Sequence, residues 1–226
     1  MKTVFVAAFA SIVLATSGGA LAQRRYPVQA DVPSLPGAQV TAMSGLQEMA
    51  NCLVAGNGPA AMALLAAEPG SIEETRARKR LMPSNETPCL RFVPDLRMEN
   101  TLLRGSLAEV LYEDKFGAPP AATAAASSEA SPSGGKVMWT NSTPADKGVA
   151  SYLVAKCYVR RDPAGSHALL ATTVGSKEER AALRGMSPDF SACTSSGRTA
   201  TLNRLILRYA VAEALYQRAL SLRSPN

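Results

Sequence analysis

The chain has 226 residues, of which 24 are basic and 18 acidic, so its formal net charge is +6 and its pI is near 9.3. A charge of this size permits contact with anionic envelope polymers or lipid headgroups, but it supports such contact only weakly. Aromatic residues make up 5% of the chain. That is too few for base-stacking platforms, so we expect no nucleic-acid partner.

Residues 1–22 are predicted to be a secretory signal peptide. Lys2 supplies the positive start, an apolar run follows it, and residues 20–22 form an A-x-A site with cleavage between Ala22 and Gln23. An uncleaved anchor is the alternative, but the run is shorter than the ~20 apolar residues that span a bilayer. We therefore expect a periplasmic or secreted protein with no transmembrane segment after signal removal.

Two stretches of the chain resemble each other. The segment 63–74, ALLAAEPGSIEE, recurs at 168–179 as ALLATTVGSKEE, with eight of twelve positions identical. Further on, LRGSLAEVLY at 103–112 matches LRYAVAEALY at 207–216 at six of ten positions. This internal similarity predicts a tandem duplication.

Composition sets the expected boundaries. The segment 23–40 contains prolines and lacks an apolar period, and 117–136 is dominated by Ala, Ser, Pro and Gly. We expect both to be flexible, the second as a linker. The remaining parts are helical repeat module 1, residues 41–116, and helical repeat module 2, residues 137–222. A module of this size has a marginal hydrophobic core, so a covalent staple is expected.

Each module is predicted to be all-α, with about four helices. In module 1 a capping box at Ser44 predicts the start of the first helix, and an Ala/Leu-rich helix follows from Pro59. Gly70 and Gly175 are predicted to end helices with a positive φ. A further capping box comes directly after each glycine, and its glutamates, Glu74 and Glu179, are interpreted as helix caps.

The longest helix of each module is predicted near 99–116 and 199–222. Its apolar residues cover more than one stripe, so we expect the two final helices to contact each other or to cover the partner module. Residues 137–140 have extended character, but the segment is too short to build a sheet.

The four cysteines of an exported chain predict two disulfides. Four cysteines allow three connectivities, and the duplication favours one bridge within each module, Cys52–Cys89 and Cys157–Cys193. Metal binding is the alternative. No CxxC pair occurs and His167 is the only histidine, so no metal site is expected.

No catalytic constellation is recognisable, and neither catalytic residues nor a cofactor are predicted. Both copies do retain four polar side chains. One interpretation makes them interhelical salt bridges and packed tyrosines, and the other makes them a ligand site for an anion or a peptide. The candidate ligand-binding residues are Arg104, Arg208, Glu109, Glu213, Tyr112 and Tyr216, and the fourth retained pair is Arg80 and Arg184.

The pattern resembles that of exported bacterial proteins with two Cys-bearing helical copies, each ending in an LR–LAEALY-like segment. The resemblance covers residues 49–112 and 154–216. It implies a bacterial periplasmic setting and carries no assigned activity.

Two functions remain open. The first is a non-enzymatic periplasmic binding or protein-interaction module, whose partner would be an envelope protein or an anionic polymer. It rests on the duplication, on the missing catalytic constellation and on a flexible tether suited to bivalent contact. The alternative is a hydrolase-like periplasmic enzyme with its site at the cleft between the modules.

Overall fold

The computed structural model describes residues 32–83, 87–93, 100–117, 136–140, 149–194 and 198–223, and these form a mostly all-α fold, as predicted. The first half contains three helices and a short 3₁₀ helix: α1 (Gly37–Ala66), α2 (Ile72–Leu81), the 3₁₀ helix (Pro88–Phe92) and α3 (Asn100–Lys115). The second half contains two strands and four helices: β1 (Lys136–Thr140), α4 (Val149–Arg161), α5 (Pro163–Leu170), α6 (Lys177–Ala192), β2 (Thr199–Asn203) and α7 (Arg204–Arg223). The predicted signal peptide with its cleavage site, and residues 118–135 of the predicted linker, lie outside the described residues.

Helix α1 has two arms that meet at Asn57, whose φ of −155° and ψ of 65° are not helical. The Asn57 side chain accepts a hydrogen bond from the Ala60 amide and so caps the second arm. In the other half, Asp162 accepts from the Gly165 amide at 2.7 Å and begins α5. The Ala/Leu-rich helix expected from Pro59 is therefore the second arm of α1.

The capping boxes that begin α2 and α6 are confirmed. Ser71 and Ser176 each accept a hydrogen bond at 3.0 Å from the backbone amide of the glutamate three residues later. The glutamate carboxylates reach back to the amides of Gly70 and Gly175, which have φ of 82° and 78°. Positive φ suits glycine because it has no Cβ, so the predicted backbone conformation is confirmed. The two glycines do not end the preceding helices as predicted, because α1 ends at Ala66 and α5 at Leu170.

The start of α1 differs from the prediction. The helix begins at Gly37, and the Ser44 hydroxyl bonds the Val40 carbonyl inside the helix instead of capping it. The prediction of a flexible segment is therefore wrong for residues 32–40, and residues 23–31 lie outside the described residues. Val32 is already buried in the core, and that burial holds the chain in place before the first helix.

Residues 199–203 are a strand and not the first turn of the last helix, which corrects the prediction. They pair in parallel with residues 136–140, from Lys136 opposite Thr199 to Thr140 opposite Asn203. The expectation that 137–140 is too short to build a sheet was therefore wrong. Leu202 and Ala200 are buried on one face of β2, and tertiary packing of that face outweighs helix propensity. The Asn203 side chain then accepts from the amides of the next turn and begins α7.

Both predicted disulfides are confirmed. Cys52 of α1 bonds Cys89 of the 3₁₀ helix, and Cys157 of α4 bonds Cys193 at the end of α6. The bonded cysteines are 37 and 36 residues apart. Each bridge thus ties the first helix of one half to a later segment of the same half.

Helices α3 and α7 pack against each other at the centre of the fold, as the sequence predicted. Their backbones approach each other closely at Gly105, where an added Cβ would lie 2.2 Å from the Tyr209 Cβ and 2.6 Å from the Tyr209 carbonyl oxygen. The two final helices therefore share one core, in which Leu107, Leu207 and Leu215 are fully buried.

Among the described helices, α1 alone is long and apolar enough to cross a membrane when judged by length and composition. That test is weak evidence because core helices also pass it. Here Met49, Ala50 and Leu53 of α1 are buried in the hydrophobic core, and the helix packs against α2 and α3. In this fold α1 is a core helix.

Candidate functional site

The retained arginines and glutamates form crossed ion pairs between α3 and α7. Arg104 of α3 donates to Glu213 of α7 from Nη2 at 2.6 Å and from Nε at 3.0 Å. Reciprocally, Arg208 of α7 donates from Nη2 to Glu109 of α3 at 2.5 Å. The arginine of each helix thus pairs with the glutamate of the other helix. This reciprocal pattern is the one that a two-fold interface has.

Arg104 has further acceptors at the end of α1. Its Nη1 donates to the Leu64 carbonyl at 2.7 Å and to Glu74 at 3.3 Å, and its Nη2 donates to the Leu65 carbonyl at 3.2 Å. These carbonyls belong to the last turn of α1, where intrahelical donors run out. The guanidinium therefore joins α1, α2, α3 and α7 at one point.

Arg208 repeats this arrangement in the second half. Its guanidinium donates to Glu179 at 3.0 Å and to three backbone carbonyls at and just beyond the end of α5, those of Leu169, Leu170 and Thr172. Glu74 and Glu179 thus have a second task besides capping: one carboxylate oxygen accepts from the turn glycine and the other accepts from the arginine.

Arg204 also belongs to this cluster, although the sequence analysis did not select it. It is 1% exposed and donates to Glu179, to the Pro33 carbonyl and to the Ser176 carbonyl. At the spacing of the two similar sequence segments the residue that corresponds to Arg204 is Asn100, so the internal similarity gives no sign of this arginine. The bond to Pro33 is also what anchors the segment before α1.

The cluster is sealed from solvent. Arg104, Arg208, Glu109 and Glu213 are all at most 4% exposed. Burial raises the pKa of Glu109, although Arg208 acts in the opposite direction. Burial lowers the pKa of Arg208, but the charges and hydrogen bonds of Glu109 and Glu179 more than offset it, so the pKa of Arg208 is raised and the guanidinium stays charged. Every one of these charges has a partner inside the protein, which is the condition for burying it.

The retained tyrosines lie next to the cluster, in an aromatic group. The Tyr112 ring stacks on Phe116 with ring centres 5.6 Å apart, and Tyr216 meets Phe116 edge-on at 6.1 Å. The Tyr112 hydroxyl lies 3.3 Å from His167 Nδ1. Burial raises the pKa of both Tyr112 and Tyr216, so both hydroxyls stay protonated at neutral pH.

A small cavity of about 300 Å³ lies between α3 and α5, beside that pair. It brings together Tyr112 and Glu113 from the first half and His167 and Leu170 from the second half. Polar residues of both halves therefore line this one cavity.

A groove of about 390 Å³ lies between α4 and α7, and we name it the basic groove. Among the residues that the structure describes, its lining contains three cationic side chains and no carboxylate: Tyr152, Lys156, Val159, Arg160, Ala214, Gln217, Arg218 and Ser221. Burial raises the pKa of Tyr152 in this lining, and the charge of Glu213 adds to the shift while that of Arg104 opposes it. Gln217 donates to the Leu65 carbonyl at 2.7 Å and fixes that wall to α1.

The two helices that form the basic groove are themselves depleted of acid. Helix α4 has no acidic residue, and α7 has only Glu213, which is buried against Arg104. Lys156 and Arg160 are exposed and lie one turn apart on α4. The charged side chains that these two helices expose to solvent are therefore all cationic.

The other basic surface is the run on α2. Lys79 and Arg80 are exposed at the end of that helix, and Arg76 forms a well-exposed 3.9 Å pair with Glu73. Arg184, the counterpart of Arg80, is exposed on α6. These side chains lie on single helices and line neither of the two cavities described above.

Among the residues that the structure describes, no group of three or more His, Cys, Asp or Glu side chains is placed to hold a metal ion. Comparison of the chain with protein-family models, with curated proteins and with solved structures finds no significant match.

Proposed function

We propose that this protein is an exported, non-enzymatic periplasmic binding module that holds an anionic partner in the basic groove. The observation that carries the proposal is the groove lining, whose described residues include the cations Lys156, Arg160 and Arg218 and no carboxylate. A concave surface with one sign of charge raises the local concentration of oppositely charged ligands and speeds their association. The partner class is an anionic envelope polymer, surface or protein.

The buried cluster has a different task in this proposal. The guanidinium groups of Arg104 and Arg208 donate hydrogen bonds to carboxylates and helix-end carbonyls of the protein itself. A ligand could reach them only by breaking those bonds, and an unpaired buried charge is strongly destabilising. We therefore assign the cluster to joining the two halves, and with them the two walls of the groove.

Export and duplication form part of the same proposal. The 1–22 segment has the n-region, apolar run and A-x-A site of a secretory signal, and the two disulfides are compatible with an oxidising compartment. The reciprocal Arg–Glu pairs are what two copies of one helical unit would form. Mass spectrometry of the protein from a periplasmic extract should give an N-terminus at Gln23, and a retained Met1 would contradict export by this signal.

The binding proposal is tested on the chain from residue 23 with a panel of anionic probes, namely polyglutamate, dextran sulfate and vesicles containing phosphatidylglycerol. We expect Lys156→Gln/Arg160→Gln to weaken binding to whichever probe the parent chain binds. The matched control is Lys79→Gln/Arg80→Gln, which removes the same charge from the exposed end of α2. The proposal fails if no probe binds, or if the control weakens binding as much as the groove variant.

A hydrolase-like enzyme is the second candidate, because Tyr112 and His167 meet in the cavity between α3 and α5. The raised pKa of Tyr112 argues against it, since a protonated phenol is a weak nucleophile. The test is turnover of chromogenic ester and phosphoester substrates by the parent chain and by His167→Gln. Turnover that the variant loses would favour the enzyme over the binding module.

A further inference from the structure

We infer that the basic groove is a docking surface for an anionic lipid surface, with leucines at its rim entering the headgroup boundary. This inference rests on the proposed function, and it names the partner of that same site. Lipid headgroups and soluble polyanions share their negative charge, so charge alone does not separate them. The separating feature is the exposed apolar residues that accompany the cations.

On α4 one exposed stripe carries both features. Leu153 is 61% exposed, and Lys156 and Arg160 follow it by three and seven residues and are also exposed. Residues at this spacing lie on one face of a helix. A leucine therefore stands on the same face as the two cations of the groove wall.

The end of α7 supplies the matching features on the other wall. Leu222 is 45% exposed and lies one turn beyond Arg218, and it follows Ser221 of the groove lining directly. Arg223 lies about 140° around α7 from Arg218. It donates to the Lys115 carbonyl at 2.9 Å and lies over the Phe116 ring, so it is not part of this wall. Both walls thus present leucine next to arginine or lysine.

This combination matches the boundary of a bilayer better than a soluble polymer. An interfacial surface gains energy from leucines buried at the acyl boundary and from cations near anionic headgroups. A soluble polyanion would use the cations and leave the leucines in water. The exposed leucines therefore favour a lipid surface as the occupant of this face.

The experiment measures binding of the chain from residue 23 to vesicles of phosphatidylcholine with about one-third phosphatidylglycerol, and separately to dextran sulfate. We expect Lys156→Gln/Arg160→Gln to weaken vesicle binding about thirty-fold. We expect Leu153→Ser/Leu222→Ser to weaken vesicle binding about tenfold and to leave dextran sulfate binding unchanged. All four substitutions are at exposed or half-exposed positions, and retained circular dichroism verifies that the variants fold.

The matched apolar control is Ile72→Ser/Met138→Ser, which removes two side chains of 66% and 53% exposure outside the groove lining. It should bind vesicles like the parent chain. A second readout needs no variant: the parent chain should bind the anionic vesicles but not pure phosphatidylcholine vesicles, and salt should weaken the binding.

Three outcomes would overturn the inference, and they are distinguishable. Binding to dextran sulfate without binding to vesicles removes the lipid surface but leaves the anionic binding module in place. If the leucine variant binds vesicles as well as the parent chain does, the leucines do not insert into the headgroup boundary. Absence of binding to every anionic probe removes both the inference and the proposed function.

Discussion

Gly105 of α3 faces Tyr209 of α7 so closely that a Cβ on Gly105 would overlap the Tyr209 backbone. The distance from that Cβ to the Tyr209 Cα would be only 2.7 Å. The two residues hold the third position of the two similar segments, LRGSLAEVLY and LRYAVAEALY. Crossed contacts place these equivalent positions opposite each other. One of the two must therefore lack a side chain, and in this protein it is Gly105.

Gly105→Ala should destabilise the protein by roughly 1–3 kcal/mol, because the added methyl group forces α3 and α7 apart. Urea unfolding followed by circular dichroism measures the change. The matched control is Gly185→Ala in α6, where an added Cβ meets nothing within 4 Å. That control should stabilise by about 0.5–1 kcal/mol through helix propensity. Equal effects of the two variants would contradict the close contact.

Arg104→Met should cost about 3–5 kcal/mol, because it leaves the buried Glu213 and Glu74 carboxylates without their cation. Adding Glu213→Gln to that variant should recover part of the loss. A double-mutant cycle on Arg104 and Glu213 measures the coupling, and two independent costs that simply add would show that the pair does not interact.

Tyr209→Phe should stabilise the protein by about 1 kcal/mol. Within the described part of the chain the Tyr209 hydroxyl is buried and has no hydrogen-bond partner, and an unsatisfied buried polar group is costly. Phenylalanine keeps the ring and removes the hydroxyl. The measurement is the free energy of unfolding of the variant and the parent chain near neutral pH. A clearly lower value for the variant would mean that the Tyr209 hydroxyl has a hydrogen-bond partner.

The same substitution should alter the alkaline limit of stability. Burial raises the pKa of Tyr209 above its ordinary value of 10.0, so the folded chain keeps a phenolic proton that the unfolded chain loses above about pH 10. Stability is then unaffected below that pH and falls as pH rises further. The Tyr209→Phe variant lacks this loss, so its advantage over the parent should grow from pH 9 to pH 11. A constant advantage across that range would refute the shifted pKa.

The disulfides should supply a large part of the stability. Cys157→Ala/Cys193→Ala opens a loop of 36 residues and should lower the free energy of unfolding by about 2–4 kcal/mol. Peptide mapping without reductant should link Cys52 to Cys89 and Cys157 to Cys193. A major species with bridges between the halves would contradict the structure.

Local chemistry made several features predictable from the sequence. The capping boxes at Ser71 and Ser176 and the positive φ of Gly70 and Gly175 involve residues at most four positions apart. These local conformations depend on backbone sterics and on hydrogen bonds between residues close in sequence, so the residue types alone predict them. The pairing of Cys52 with Cys89 is longer in range, and it could be predicted because the chain repeats the same cysteine spacing.

Tertiary structure decided the features whose partners lie far along the chain. The pairing of β1 with β2 joins segments about sixty residues apart. Neither segment has a β propensity high enough to predict a strand from its sequence alone. The same holds for the acceptors of Arg104. The sequence marked Arg104 and Glu213 as retained residues, but only the packing of α3 on α7 shows that they meet across the seam, because helix crossing sets which faces come together. The basic groove has the same origin, since its cations lie on two helices that only the fold places side by side.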